Sequence, residues 1–112
     1  MDNAAWIERF IRHLETERRL SSLTCKNYRR DLEMLLVYFE KDGVSSWTDV
    51  DSEHVRSYSA SSFRRGSSAR SIQRRLSAAR TFYRYLIREK KLDHNPVTSV
   101  SAPKAKKRLP EH

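Results

Sequence analysis

Five tyrosines (Tyr28, Tyr38, Tyr58, Tyr83, Tyr85) and one cysteine, Cys25, are the side chains with which this chain could form a covalent intermediate. Either nucleophile needs an activating base and oxyanion donors within reach. No His-x-x-Arg, Ser-His-Asp or paired-carboxylate arrangement supplies them. Most of the tyrosines fall in aromatic periodic patterns and read as packing residues. At about 100° per residue Cys25 shares a helix face with Leu32, so it reads as a small core side chain rather than a reactive thiol. His13, His54, His94 and His112 are scattered without paired ligand spacing. No metal, cofactor or active site is expected.

The remaining chemistry is charge. The stretch "SARSIQRRLSAARTFYRYLIREKK", residues 68–91, holds six arginines, two lysines and one acid. Between Glu53 and Glu89 there are nine arginines and no acid, so the segment cannot neutralise itself with pairs three or four residues apart. The net charge of +9 is accordingly lopsided. Residues 1–50 carry eight Lys/Arg against nine Asp/Glu, and residues 51–112 carry fifteen against five. Solvated faces normally mix signs. Clustered arginines suit a polyanion, because their forked guanidiniums match phosphates and guanine edges. The opening of an earlier helix, "SLTCKNYRRDL", adds Thr24, Lys26, Asn27 and Arg30, beside free backbone N–H groups and a helix dipole that also favour an anion.

Helices must position these groups. Two glycines and three prolines leave little turn chemistry for sheets, and 112 residues suffice for one small core. Trp6, Ile7, Phe10, Ile11 and Leu14 recur at helical spacing and predict a first helix over residues 3–19, capped by Asp2 or Asn3. Ser21 can cap a second helix reaching about residue 41, with Tyr28, Leu32, Leu35, Leu36 and Phe39 inward and Gly43 as its stop. Thr48 or Asp51 can cap a third over residues 52–65, with Trp47 plugging the core edge. The fourth helix places Ile72, Leu76, Ala79, Tyr83, Leu86 and Ile87 on one face. Arg70, Arg74, Ser77, Thr81, Arg84 and Arg88 form a stripe on the other. Serine enrichment between Ser57 and Ser77 reads as solvated surface. No apolar run approaches a membrane span, and "MDNAAWIERF" lacks a signal-peptide layout, so a cytoplasmic location is expected.

The Ser-x-x-Thr-x-x-x-Tyr helix opening at 21–28, the Arg-Leu-Ser-Ala-x-Arg-x-Phe-Tyr run at 75–83, the Asn95-Pro96 stop and "SAPKAKKRLP" follow one another in a specific order. In this the chain resembles the N-terminal core-binding domain of Xer-type tyrosine recombinases, nearest the XerC branch. The resemblance implies an all-α, four-helix, SAM-like bundle of the phage integrase N-terminal type. Such a bundle forms one jaw of a C-shaped clamp, with its second and fourth helices crossing at the major groove of double-stranded DNA. It implies DNA contacts from Thr24, Lys26 and Asn27, and from Arg70, Ser71, Arg74, Arg75 and Ser77. Arg30 is added from the helix projection, and Arg75 borders the apolar arc.

The resemblance further implies residues 1–98 as the binding domain and 99–112 as a basic linker. The tyrosine nucleophile and its Arg and His activators would then lie in a catalytic domain outside this chain. The domain by itself is no enzyme, whereas the full-length protein would cut and rejoin DNA through a covalent 3'-phosphotyrosine intermediate without metal or ATP. Its partner would be a second Xer-type recombinase in a tetrameric synaptic complex that resolves chromosome dimers, the isolated chain being monomeric. Lys90 stands where many relatives carry glycine, so the fourth helix is expected to run a residue or two further. Two other readings stay open: a phage or mobile-element integrase, and a basic helical module that meets an acidic protein.

Overall fold

Every helix start is fixed by a short polar side chain that accepts a backbone N–H of the first turn. The computed structural model describes residues 2–102. Helix α1 spans Asn3–Thr16, and the Asp2 carboxylate takes the Ala5 N–H at 2.7 Å. Of the two expected caps it is Asp2 that serves. Asn3 instead binds the Ser45 carbonyl and, through its own carbonyl, the Trp47 indole. Helix α2 (Ser22–Lys41) is capped by Ser21 and helix α4 (Ala69–Arg88) by Ser68. Helix α3 (Ser52–Arg64) opens on a reciprocal box in which Asp51 accepts the His54 N–H while the His54 ring accepts that of Asp51. Thr48, the other candidate, lies in a single 3-10 turn, Trp47–Asp49.

The helix ends depart from expectation in two places. Helix α1 stops at Thr16, three residues early, because Arg19 turns left-handed (φ 51°) and brings Leu20 back against the core, its N–H on the Leu14 carbonyl. Helix α4 stops at Arg88 rather than running on. Lys90 itself takes the left-handed conformation (φ 61°), and the N–H groups of Lys90 and Lys91 close on the carbonyls of Ile87 and Leu86. This is the arrangement that a glycine usually provides, and Gly43 provides it after α2.

Among the described residues there are four α-helices and no strand, the expected all-α bundle. Helix α2 packs against α1, α3 and α4, and α3 also packs against α4. Phe10, Leu32, Leu35, Ile72, Leu76, Phe82 and Leu86 fill the centre. Trp47 is not at the core edge but inside, 2% exposed, stacked edgewise on Phe82 at 4.7 Å. Its backbone carbonyl accepts the Tyr83 hydroxyl at 2.6 Å.

Helix α4 buries more than the predicted arc, adding Ala78, Phe82 and Tyr85, while Ile87 is only half-buried. The reason is that α4 has neighbours on several sides. Tyr85 meets Trp6 and Phe10 of α1. The segment after Asn95 folds back over it, with Val97 and Val100 buried and Asn95 bonded to the Arg80 carbonyl. Packing therefore continues two residues past 98, and the basic run from Lys104 to Arg108 lies outside the described residues.

Candidate nucleic-acid interface

Helices α2 and α4 bring the two sequence signals onto one surface. The opening turns of α2 lie beside the first half of α4, and between them is a cavity of about 270 Å³ lined by Thr24, Asn27, Tyr28, Asp31, Arg74, Ser77 and Ala78. Four of the nine predicted contact residues, Thr24, Asn27, Arg74 and Ser77, therefore meet although about 50 positions separate the two helix openings. Each helix presents its own polar edge because its apolar edge is sunk in the shared core, Leu32 and Leu35 from α2 against Ile72 and Leu76 from α4. Thr24 is already oriented, since its hydroxyl accepts a hydrogen bond from the Ser21 hydroxyl at 2.9 Å.

The remaining predicted residues do not line this cavity. Lys26, Arg30 and Arg70 are exposed. Among the described residues Lys26 and Arg70 have no ion-pair partner, so they stand as free cations. Ser71 is occupied at the helix start, where its N–H and hydroxyl meet the Ser68 hydroxyl. Arg75 turns the other way: it donates to the Tyr58 hydroxyl at 3.3 Å, and its buried Nε has no partner. It lines a second cavity of about 320 Å³ with Met34, Val37, Lys41, Arg65 and others, between α2 and α3.

The arginine stripe is less bare than its own segment implies, because other helices supply the acids. Arg88 reaches Glu17, just past the end of α1, at 3.0 Å, while Arg9 of α1 comes back to Glu89 at 3.4 Å. The Arg88 bond holds the Glu17 carboxyl below its usual range. The decisive pairing involves Arg74, one of the arginines of the predicted stripe. Its Nε and Nη2 donate to the two carboxylate oxygens of Asp31 at 3.1 and 3.0 Å. The Asp31 side chain is 3% exposed and that of Arg74 47%. These bonds to Asp31 raise the Arg74 pKa further above its ordinary value, so the guanidinium is permanently charged.

Sequence reasoning missed Asp31. The available signal was that, of the three acids of α2, Asp31 alone falls roughly 40° from Leu35 on the wheel, on the apolar side of a helix that faces an acid-free arginine run. The tyrosines take the packing roles expected of them: Tyr58, Tyr83 and Tyr85 are buried, Tyr28 and Tyr38 half-buried. Burial also pushes the Tyr83 hydroxyl pKa far up. Cys25 is 1% exposed and its thiol pKa is raised by desolvation, as befits a core residue. No cluster of metal-ligating side chains occurs among the described residues, and no helix there is long and apolar enough to cross a membrane.

A four-helix bundle with a polar, arginine-bearing seam between α2 and α4 defines a class. Residues 7–90 match the family described as phage integrase, N-terminal SAM-like domain, and the chain belongs to that family. Within it the similarity is to tyrosine recombinases of the XerC type. The chain is 45% identical over 105 residues to the tyrosine recombinase XerC of Pseudomonas syringae pv. syringae, an alignment covering 94% of this chain and 35% of that protein. It is 41% identical over 106 residues to the XerC of Shigella flexneri, covering 95% and 36%. The XerC of Pseudomonas aeruginosa strain PAO1 is 41% identical over 104 residues, covering 93% and 34%. The chain thus spans about a third of the length of these relatives. No solved structure matches it.

Proposed function

We propose that this chain binds double-stranded DNA as the N-terminal jaw of a Xer-type site-specific recombinase, the seam between α2 and α4 lying against the major groove. The observation that carries this reading is the convergence of Thr24, Asn27, Arg74 and Ser77 around one cavity, with the free cations Lys26 and Arg70 on the same two helix openings. Neutral hydrogen-bonding groups at the centre suit base edges, and unpaired cations suit phosphates. Arg30 and Ser71 complete the proposed contact set, Arg75 contributing from the neighbouring cavity.

In the whole protein this jaw works with a catalytic domain that carries the tyrosine nucleophile and forms the 3'-phosphotyrosine bond. A second Xer-type recombinase completes a tetrameric complex on the recombination site, which serves chromosome dimer resolution in the cytoplasm. Residues 99–112 act as the basic lead toward the catalytic domain. By itself the chain is a monomer without catalytic activity, and it requires no cofactor.

The test is an anisotropy titration of the chain against a Xer-type site of about 28–30 base pairs and a scrambled duplex, over a series of salt concentrations. Binding should weaken with salt and favour the site. Lys26→Ala should flatten the slope of log K against log salt by roughly 0.9, the value of one phosphate contact. On a nicked suicide duplex no covalent adduct should survive denaturation. Salt-insensitive or absent binding to every duplex would instead favour a module that meets an acidic protein.

A further inference from the structure

We infer that Asp31 is a specificity-determining positioning residue, which fixes Arg74 so that it reads guanine and keeps it from serving as a general phosphate anchor. The inference rests on the DNA-binding reading above and deepens it.

A guanidinium has two useful edges. The side edge, Nε and Nη2, is spent on Asp31, with both bonds near 3 Å. The end edge, formed by Nη1 and the second N–H of Nη2, makes no hydrogen bond to another described residue. Since the carboxylate is buried and the guanidinium half-exposed, the side edge is turned inward and the end edge outward, into the cavity rimmed by Thr24, Asn27 and Ser77. An outward edge that carries only donors demands two acceptors side by side. Guanine presents O6 and N7 in the major groove, adenine pairs one acceptor with a donor, and cytosine offers a donor. A free arginine would search many rotamers before meeting a base. Asp31 has removed that freedom in advance.

The carboxylate also changes what Arg74 contributes to the field. Asp31 and Arg74 together are close to neutral, so docking this pair on DNA releases little counterion, whereas an unpaired arginine adds a full phosphate contact. Directional recognition is kept while non-specific attraction is cancelled. Arg30 approaches the same carboxylate, its Nε 4.0 Å from Oδ1, but it forms no hydrogen bond there and is 57% exposed.

The experiment selects bound duplexes from a randomised pool and, in parallel, measures the salt slope on a scrambled duplex. The wild-type chain should enrich one guanine position. Asp31→Asn keeps the side-chain shape and removes the charge. It should blur that guanine, lower the ratio of selected to scrambled affinity by roughly 5- to 150-fold, and steepen the scrambled slope by about 0.9 as Arg74 swings to a phosphate. A loss of structure alone would not raise affinity for scrambled DNA. Arg74→Lys keeps the charge pair but has no fork; it should lose the guanine with the slope unchanged. In Asp31→Asn/Arg74→Gln the added slope should vanish. Its persistence would assign the effect to Arg30 and overturn the inference. Unaltered guanine selection in both Asp31→Asn and Arg74→Lys would also overturn it, while the DNA reading stood. A wild-type chain that binds no duplex in a salt-dependent way would remove the DNA reading itself.

Discussion

Arg74→Ala removes the only cation that, among the described residues, is hydrogen-bonded to a carboxylate almost wholly inside the protein, with the Asp31 side chain 3% exposed. Removing one partner of a buried ion pair costs about 3–5 kcal/mol, since the remaining charge has neither water nor counter-charge. Here the departing side chain is itself 47% exposed, its loss opens the existing cavity to solvent, and Arg30 stays 4.0 Å from the carboxylate, so part of that charge is rehydrated and part still countered. The expected cost therefore falls to or below the bottom of that range, about 2–3 kcal/mol. A domain of this size is stable by only about 5–15 kcal/mol, and each kcal/mol moves Tm by roughly 4–8 °C. Urea unfolding followed by far-UV circular dichroism, together with a thermal melt, would resolve such a change. The double variant Asp31→Asn/Arg74→Ala buries an amide in place of an unpaired charge and should recover about 1 kcal/mol or more. If Arg74→Ala costs less than about 0.5 kcal/mol, or the double variant is no more stable than Arg74→Ala, Asp31 is not held by Arg74 in the way described.

The core makes comparable demands. Leu76 is 1% exposed at the contact of α4 with α2, and Leu76→Ala should cost about 2–5 kcal/mol in urea unfolding. Tyr83→Phe removes one of the two donors to the Trp47 carbonyl, the Val50 N–H at 3.3 Å remaining; a loss of about 0.5–1.5 kcal/mol is expected, and an unchanged Tm would show that the Val50 bond alone satisfies the carbonyl. Glu8 of α1 is held below the ordinary glutamate value of 4.5, chiefly by the hydrogen bond from Arg29 of α2, with desolvation opposing. Its folded pKa being depressed, the pair's stability is fully present above about 4.5 and is lost as pH falls through the lower folded value. Because both side chains are more than a third exposed, wild type and Arg29→Gln should differ by only about 0.2–1 kcal/mol at neutral pH, the gap closing in acid. A gap independent of pH would place the contribution of Arg29 in packing rather than charge.

Much of this was legible in the sequence because it is local. A cap acts on the next three residues, and a helix face repeats every three or four, so the Ser21 cap, the candidate caps Asp2 and Asp51, and the apolar rows of α1 and α2 could be read from spacing alone. The same holds for the uneven charge and the ordered motifs that mark the family. What spacing cannot show is which helix a side chain will meet. Asp31 and Arg74 are 43 residues apart and become partners only when α2 packs along α4. That packing turns the centre of a seemingly bare arginine stripe into a held guanidinium, and it sends Arg75, one position on, to Tyr58 instead. Trp47 is drawn from the expected edge into the centre because α1 supplies a carbonyl for its indole and α4 supplies a hydroxyl for its own carbonyl. Lys90 takes a glycine's conformation because the chain must turn there to lay Val97 and Val100 over α4. Local rules determined the helices and their charges; the arrangement of the helices in space decided which charges are paired and which remain to meet a ligand.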